Sequence, residues 1–313
     1  MITVQKYKAE HKHTWDNFVK TAKNGHFMFY RNYMEYHSDR FEDHSLLFTD
    51  DKDRLTAILP ANLNGEILYS HQGLTFGGLI LTDKASTNAV LEIFSALKEY
   101  LASSNIRKLI YKPIPHIYAS LPSDEDLYAL FVSGAHVFRR DVSSLVDFNG
   151  VIKYTKGRKW TVNKAKKENI EICRTDDFSQ FWTLLNGVLQ AQHGAKPVHS
   201  ITEIDYLRSC YPDNIKLFTA NHDGKIIAGA VTYETELVAH TQYLSNSDLG
   251  RELGALDFLI DHLIKNEYKN KKYFDFGIST ENGGLILNKG LISQKEGFGA
   301  RAMVQDVYEL EIK

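Results

Sequence analysis

The tripeptide Leu-Phe-Thr occurs at residues 47–49 and again at 217–219, and the chain around each copy repeats the same order of elements. At the first copy, residues 45–49 read as a strand, 50–53 as a polar turn and 55–59 as the returning strand. At the second, residues 216–219 are followed by a turn at His222-Asp223-Gly224 and a strand over 226–233. A β-rich stretch follows each hairpin, over 67–81 and 238–244. Helices come next, over 86–102, with Val90, Leu91, Phe94, Leu97 and Leu101 on one face, and over a segment carrying Leu253, Leu256, Leu259, Ile260 and Leu263. That spacing is the helical period. Each helix leads into a short strand, at 108–112 and at 273–277. A tripeptide match alone is weak, since chance could supply it; five elements in one order at one offset point to duplication. The reading is two domains, 1–149 and 150–313, against the alternative of one large α+β domain with a coincidental echo. The break is expected at Asn149-Gly150, where a β-rich segment meets a basic one.

Lys plus Arg number 37 and Asp plus Glu 39, a net charge of −2. That balance argues against a general nucleic-acid coat or a polybasic membrane binder. Hydrophobic residues make up 43 % and charged residues 24 %, which fits a globular chain rather than a disordered or fibrous one. The polar start has no apolar core of a signal peptide, and no apolar run approaches the ~20 residues of a membrane helix. A cytoplasmic protein with no membrane span is expected, its two cysteines, Cys173 and Cys210, reduced. His11, His13, His193 and His199 lack ligand spacing, so no metal is expected. Neither a Gly-x-Ser-x-Gly elbow nor a Cys–His pairing is evident, which leaves a hydrolase little support.

Three segments can carry chemistry. In 248–256, between a strand and an amphipathic helix, Gly250 and Gly254 allow close backbone approach. The helix start and Arg251 suit a pyrophosphate. The segment is neither a Walker loop nor a dinucleotide fingerprint. In 156–167, six of twelve residues are basic and none is acidic. Arg158 and Lys159 stand in the first turn, with Lys166 about two turns on. The pattern is a solvated face or a site for an anionic substrate, which Trp160 would help wall. In 274–299, six glycines lie among Asn288, Lys289 and Lys295, where a lysine can stabilise an oxyanion. The other reading is a tight connection to a final strand over 304–312. His240 and Tyr243 lie on the strand before Gly250, and regular alternation points them to opposite faces.

With these segments in view, the sequence resembles the FemAB-like branch of the GNAT acyltransferases. The resemblance rests on His240-Thr-Gln-Tyr-Leu, Gly250-Arg-Glu-Leu-Gly-Ala-Leu-Asp257, Phe274-Asp-Phe-Gly-Ile-Ser, Leu287-Asn-Lys-Gly-Leu291 and Lys295-Glu-Gly-Phe-Gly299, with the basic 156–167 stretch and Phe76-Gly-Gly-Leu-Ile. It implies an α/β (α+β) fold of two tandem GNAT-like domains, each a mixed, mostly antiparallel sheet flanked by helices. It further implies an N-acyltransferase that moves an acyl group from acetyl-CoA or another acyl-CoA to an amine on a small anionic acceptor, such as a nucleotide sugar or a peptidoglycan precursor. Gly250, Arg251 and Gly254 match the acyl-CoA pyrophosphate loop, except that Leu256 stands where Gly or Ala is usual. Lys295 looks like the lysine placed near the reacting carbonyl by members that use aminoacyl-tRNA, with Gln294 before it where Phe is frequent. Members named Fem add amino acids to cell-wall precursors, so tRNA is the alternative donor; an inactive binding protein is the rival of another class. On this reading His240, Tyr243 and Lys295 are catalytic. Arg158, Lys159 and Asn288 hold the acceptor.

Overall fold

The computed structural model describes residues 1–313, except for the side chain of His193. The chain forms two compact units, Met1–Asp141 with Gln305–Lys313, and Val142–Val304. That division falls before Asn149-Gly150, and the last residues return to the first unit.

In the first unit β1 (Thr3–Lys6) leads to helices α1 (Lys12–Thr21) and α2 (Arg31–Glu35). Strands β2 (Glu42–Asp43), β3 (Leu46–Thr49), β4 (Leu55–Leu59), β5 (Asn62–Asn64), β6 (Ile67–Tyr69) and β7 (Ile80–Leu81) follow. Helix α3 (Thr87–Ser103) starts where the Ser86 hydroxyl accepts from Ala89 N at 3.2 Å. It buries Val90, Ile93, Phe94, Leu97 and Leu101, the expected stripe with Ile93 added and Leu91 at its edge. Then come β8 (Lys108–Tyr111), α4 (Glu125–Val132) and β9 (His136–Asp147). One sheet runs β1-β3-β4-β7, and β8, β6, β5 and β2 are neighbours in another. On its other side β8 pairs with residues 308–311, so Leu310 joins the core around Phe48, Phe94 and Leu97.

In the second unit α5 (Lys156–Ala165) starts at a Thr155 cap and precedes β10 (Glu171–Thr175), α6 (Ser179–His193) and α7 (Ile201–Cys210). Strands β11 (Ile215–His222) and β12 (Lys225–Glu234) are joined by Asp223 and Gly224, both at positive φ. A two-residue Asp-Gly loop matches the twist of its strands, and here it sets His222 opposite Lys225. Strand β13 (Val238–Asn246) runs into α8 (Asp248–Leu253) and α9 (Ala255–His262). The expected single helix is divided at Gly254, left-handed at φ 77°. Then come β14 (Tyr273–Ile278), β15 (Thr280–Glu281), β16 (Ile286–Leu287), α10 (Lys289–Gly297) and β17 (Arg301–Glu311). The sheet runs β10-β11-β12-β13-β14, with the end of β9 on β14. Its core gathers Phe218, Ala230, Ala239, Leu259, Ile260 and Phe274.

The echoed tripeptides occupy matching register positions. Leu47 pairs with Ile58 and Phe48 with Ala57; Leu217 pairs with Val231 and Phe218 with Ala230. In both units the last strand of the repeat runs parallel to one neighbour and antiparallel to a strand from a later or earlier segment. β8 does so between β6 and 308–311, and β14 between β13 and β9.

Candidate functional site

Strands β13 and β14 pair in parallel at only three positions, Val238–Tyr273, Ala239–Phe274 and His240–Asp275. After Asp275, Ile278 pairs with Ser143 of β9, while β13 continues to Asn246 along β12. His240 and Asp275 therefore stand where the pairing ends. Asp275 Oδ2 accepts from His240 Nδ1 at 2.8 Å, and its Oδ1 accepts from Ser143 Oγ at 2.6 Å and from Gly277 N at 2.9 Å. Burial alone favours the neutral acid, but His240 and these donors outweigh it and hold the carboxyl below its ordinary pKa. An ionised carboxylate can only accept, which puts the proton of neutral His240 on Nδ1 and leaves a lone pair on Nε2. Nε2 has no hydrogen-bond partner among the described residues. Gly277, at φ 73°, is required beside it: a Cβ there would lie 3.2 Å from His240 Cε1.

Lys295, from α10, reaches the same place. Its Nζ donates to Gly277 O at 2.8 Å and Ile278 O at 2.7 Å, which leaves one N–H of the ammonium. Burial lowers its pKa to about 8, against the opposing pull of Asp275. The structure thus brings His240 and Lys295 together around Gly277 and adds Asp275. The sequence contained Asp275 in the Phe274-Asp-Phe-Gly-Ile-Ser segment, and its role becomes visible only once β14 lies beside β13.

Tyr243 requires a correction of orientation. Its register shifts between Val231 and Thr232, so Tyr243 faces Val231, Thr241 faces Thr232 and His240 faces Tyr233. Gln242 is the extra residue of a bulge. Val231 and Tyr233 share a face, and so do Tyr243 and His240. Regular alternation failed because one residue was inserted. Tyr243 lies against Trp182 of α6, ring centroids 5.1 Å apart, and its hydroxyl is 2.5 Å from His199 Nδ1. His199 N donates to the same hydroxyl at 3.3 Å. Burial pushes the phenol up to about 12, so it is neutral at ordinary pH.

The other candidate residues are engaged within the protein. Gly250 N donates to Ser247 Oγ at 3.0 Å, and a Cβ on Gly250 would lie 2.4 Å from Ile227 O. At Gly254 a Cβ would meet Thr161 Cγ2 of α5 at 2.7 Å. Arg251 donates to Asp248 Oδ1 at 2.6 Å and to Asn246 O at 3.0 Å. The exposed Asp248 carboxylate sits in the first turn of α8, where it repels an anion. These contacts of Gly250, Arg251 and Gly254 are all within the chain. Arg158 is bonded to Asp257 and lies over the Phe298 ring at 4.8 Å. Lys159 instead lines a cavity with Lys166. Asn288 caps α10, accepting from Leu291 N at 2.9 Å and donating to Glu281 at 2.8 Å. Lys289 is the first residue of that helix, and Trp160 is 67 % exposed. Among the described residues there is no His/Cys/Asp/Glu group able to hold a metal, and the side chain of His193 lies outside them.

The chain aligns over 99 % of its length with the crystal structure of FemX, covering 97 % of that chain at a TM-score of 0.68 and 10 % identity. Its fold is that of FemX. L-PGS from Bacillus licheniformis shares it over 97 % of this chain and 92 % of that one, with a TM-score of 0.62 and 15 % identity. A tandem GNAT protein from the clavulanic acid biosynthesis pathway matches across 100 % and 99 %, with a TM-score of 0.53 and 12 % identity. The FemX fold is thus a tandem GNAT-type fold here, as the sequence led one to expect. No family model matches the chain, and no curated protein matches it. Among the described residues no helix is long and apolar enough to cross a membrane.

Proposed function

We propose that this chain is an acyltransferase that moves an aminoacyl group from an activated ester to a nucleophile, with aminoacyl-tRNA as donor and an amine as acceptor. The observation that carries acyl transfer is the His240–Asp275 pair, which presents the imidazole Nε2 where two parallel strands separate, with the Lys295 ammonium close by at Gly277. Nε2 takes the proton of the attacking amine as nitrogen bonds to the ester carbonyl carbon. The carbonyl π pair becomes a tetrahedral oxyanion, which the remaining Lys295 N–H stabilises. When the oxyanion collapses, the C–O bond of the ester breaks. The proton held on His240 passes to the departing ribose hydroxyl. Asp275 stabilises the imidazolium between these steps and stays ionised.

The choice of donor rests on two supports. The segment 247–254 uses its glycines for packing and its arginine for Asp248, which favours a donor other than CoA. Fold likeness to FemX and to L-PGS adds the analogy. Acyl-CoA is the second reading, favoured by the tandem GNAT protein of the clavulanic acid pathway.

Thermal unfolding with a charged tRNA pool, uncharged tRNA, acetyl-CoA and CoA separates these. A ligand at 100 times its Kd stabilises by about 2.7 kcal/mol, which moves the midpoint by several degrees. Charged tRNA is expected to shift it in a salt-dependent way, and deacylation of that tRNA in the presence of amine acceptors is expected to vanish in His240→Ala. A shift with acetyl-CoA alone overturns the tRNA reading. Silence with both donors favours a binding protein that has lost catalysis.

A further inference from the structure

Helix α5 and the turn following α9 enclose a half-open cavity of about 540 Å³. Lys159, Lys166, Lys265 and Lys269 line it, and no carboxylate does so among the described residues. Asp261 is buried behind the lysines, 3.3 Å from Lys166 Nζ and bonded to Lys265. Lys159 and Lys269 have no ion pair among the described residues. One carboxylate against four ammonium groups leaves a local surplus of positive charge among the residues at the cavity. The floor is apolar, with Phe148 as its aromatic wall. Tyr154 also lines the cavity; it is 8 % exposed, and its buried hydroxyl faces the Asp261 carboxylate, which together with burial raises its pKa. Four lysines around a cavity whose lining also includes Phe148, Ile152, Val162 and Ile264 are the arrangement of a site for an anion with an apolar body.

We propose that this cavity binds a phosphate ester carrying a compact apolar or aromatic group. The lysines hold the phosphoryl oxygens, and Phe148 meets the body. It is a second site, separate from His240. Val162 and Ile264 of the cavity belong to the same core as Ala239 and Phe274. Those two residues alternate with His240 and Asp275 along β13 and β14, so cavity and imidazole lie on opposite faces of the sheet. A ligand here would tie α5 to the end of α9, and the inference does not depend on the reaction proposed above.

Isothermal titration of the full chain with phenyl phosphate and with inorganic phosphate, at matched ionic strength, tests it. Phenyl phosphate is expected to bind at least about tenfold more tightly, a difference of about 1.4 kcal/mol. The double variant Lys159→Gln/Lys269→Gln removes two exposed, unpaired lysines and should fold normally while losing about tenfold or more in affinity. His240→Ala should leave binding unchanged. Titrations with UMP and with dihexanoyl phosphatidic acid, kept below its micelle concentration, identify the source of the ester; tighter binding of either supports the site. Equal affinity for the two phosphates, full binding by the folded double variant, loss in His240→Ala, or no heat with any probe overturns it.

Discussion

Asp275 stands opposite His240 at the last position where β13 and β14 pair, and its Oδ2 accepts the imidazole Nδ1–H at 2.8 Å. An amide at this position can offer N–H where the imidazole also offers N–H, and the ring then reverses its tautomer. Asp275→Asn is therefore expected to lower kcat by about 10²–10⁴ while His240 stays in place. Because Ser143 also bonds Asp275, Ser143→Ala is the control: it removes a donor without changing the tautomer and should cost much less in turnover. Equal losses in the two variants would show that the contact only supports the fold.

Lys295 gives the pH profile its basic limb. Its pKa lies at about 8, so the ammonium is present below that value and lost above it. Activity should fall as pH rises through about 8, and Lys295→Arg should move that fall upward because guanidinium stays charged. Lys295→Ala should lose about 10²–10³ in rate if the ammonium faces the oxyanion. Steady-state kinetics from pH 6 to about 10 read both effects.

Arg158 is expected to matter for folding before it matters for binding. Its side chain is 18 % exposed and that of Asp257 10 %, and the two are bonded. Arg158→Ala leaves a buried carboxylate unpaired, which typically costs about 3–5 kcal/mol. Arg158→Ala/Asp257→Asn should recover much of that loss. Chemical denaturation of the single and double variants measures the coupling. A raised KM with unchanged stability would instead assign Arg158 to an acceptor.

At Gly254 the backbone is left-handed and Thr161 Cγ2 closes the space. Gly254→Ala should destabilise by about 1–3 kcal/mol. Thr161→Ser removes the crowding methyl but not the unfavourable φ, so it should restore only part of the loss, as read from denaturant midpoints.

In the first unit Tyr111 donates to Asp126 at 2.6 Å, and burial raises that carboxyl from 3.8 to about 6. Between those values the native chain binds the proton more strongly than the unfolded chain, so this group makes stability fall as pH rises from about 4 to 6. Asp126→Asn has no proton to lose. Its stability relative to the wild type should improve across that window and level off above it, as urea midpoints at several pH values will show.

Much of the architecture was legible because local signals and tertiary packing agree. The stripe from Val90 to Leu101 is buried as its spacing requires, and Asp223-Gly224 forms the hairpin loop its residue types favour. Sequence could not show the Gln242 bulge, since one inserted residue leaves no mark on composition yet turns Tyr243 onto the face of His240. Nor could it choose what Gly250 and Gly254 approach. A missing side chain admits a ligand or another piece of the same chain equally well, and here Ile227 and Thr161 fill the space. Asp275 was hidden for a different reason: it meets His240 only after a whole strand–helix–strand crossover has folded.

The return of Gln305–Lys313 to the first unit sets an order of events during synthesis. When residues 1–141 leave the ribosome, β8 has β6 on one side and nothing on the other, and Leu310 is missing from the core. Val142–Val304 must all be translated before that gap closes. The first half of this protein is therefore the half that finishes folding last, with an open strand edge that other nascent chains can join in the meantime.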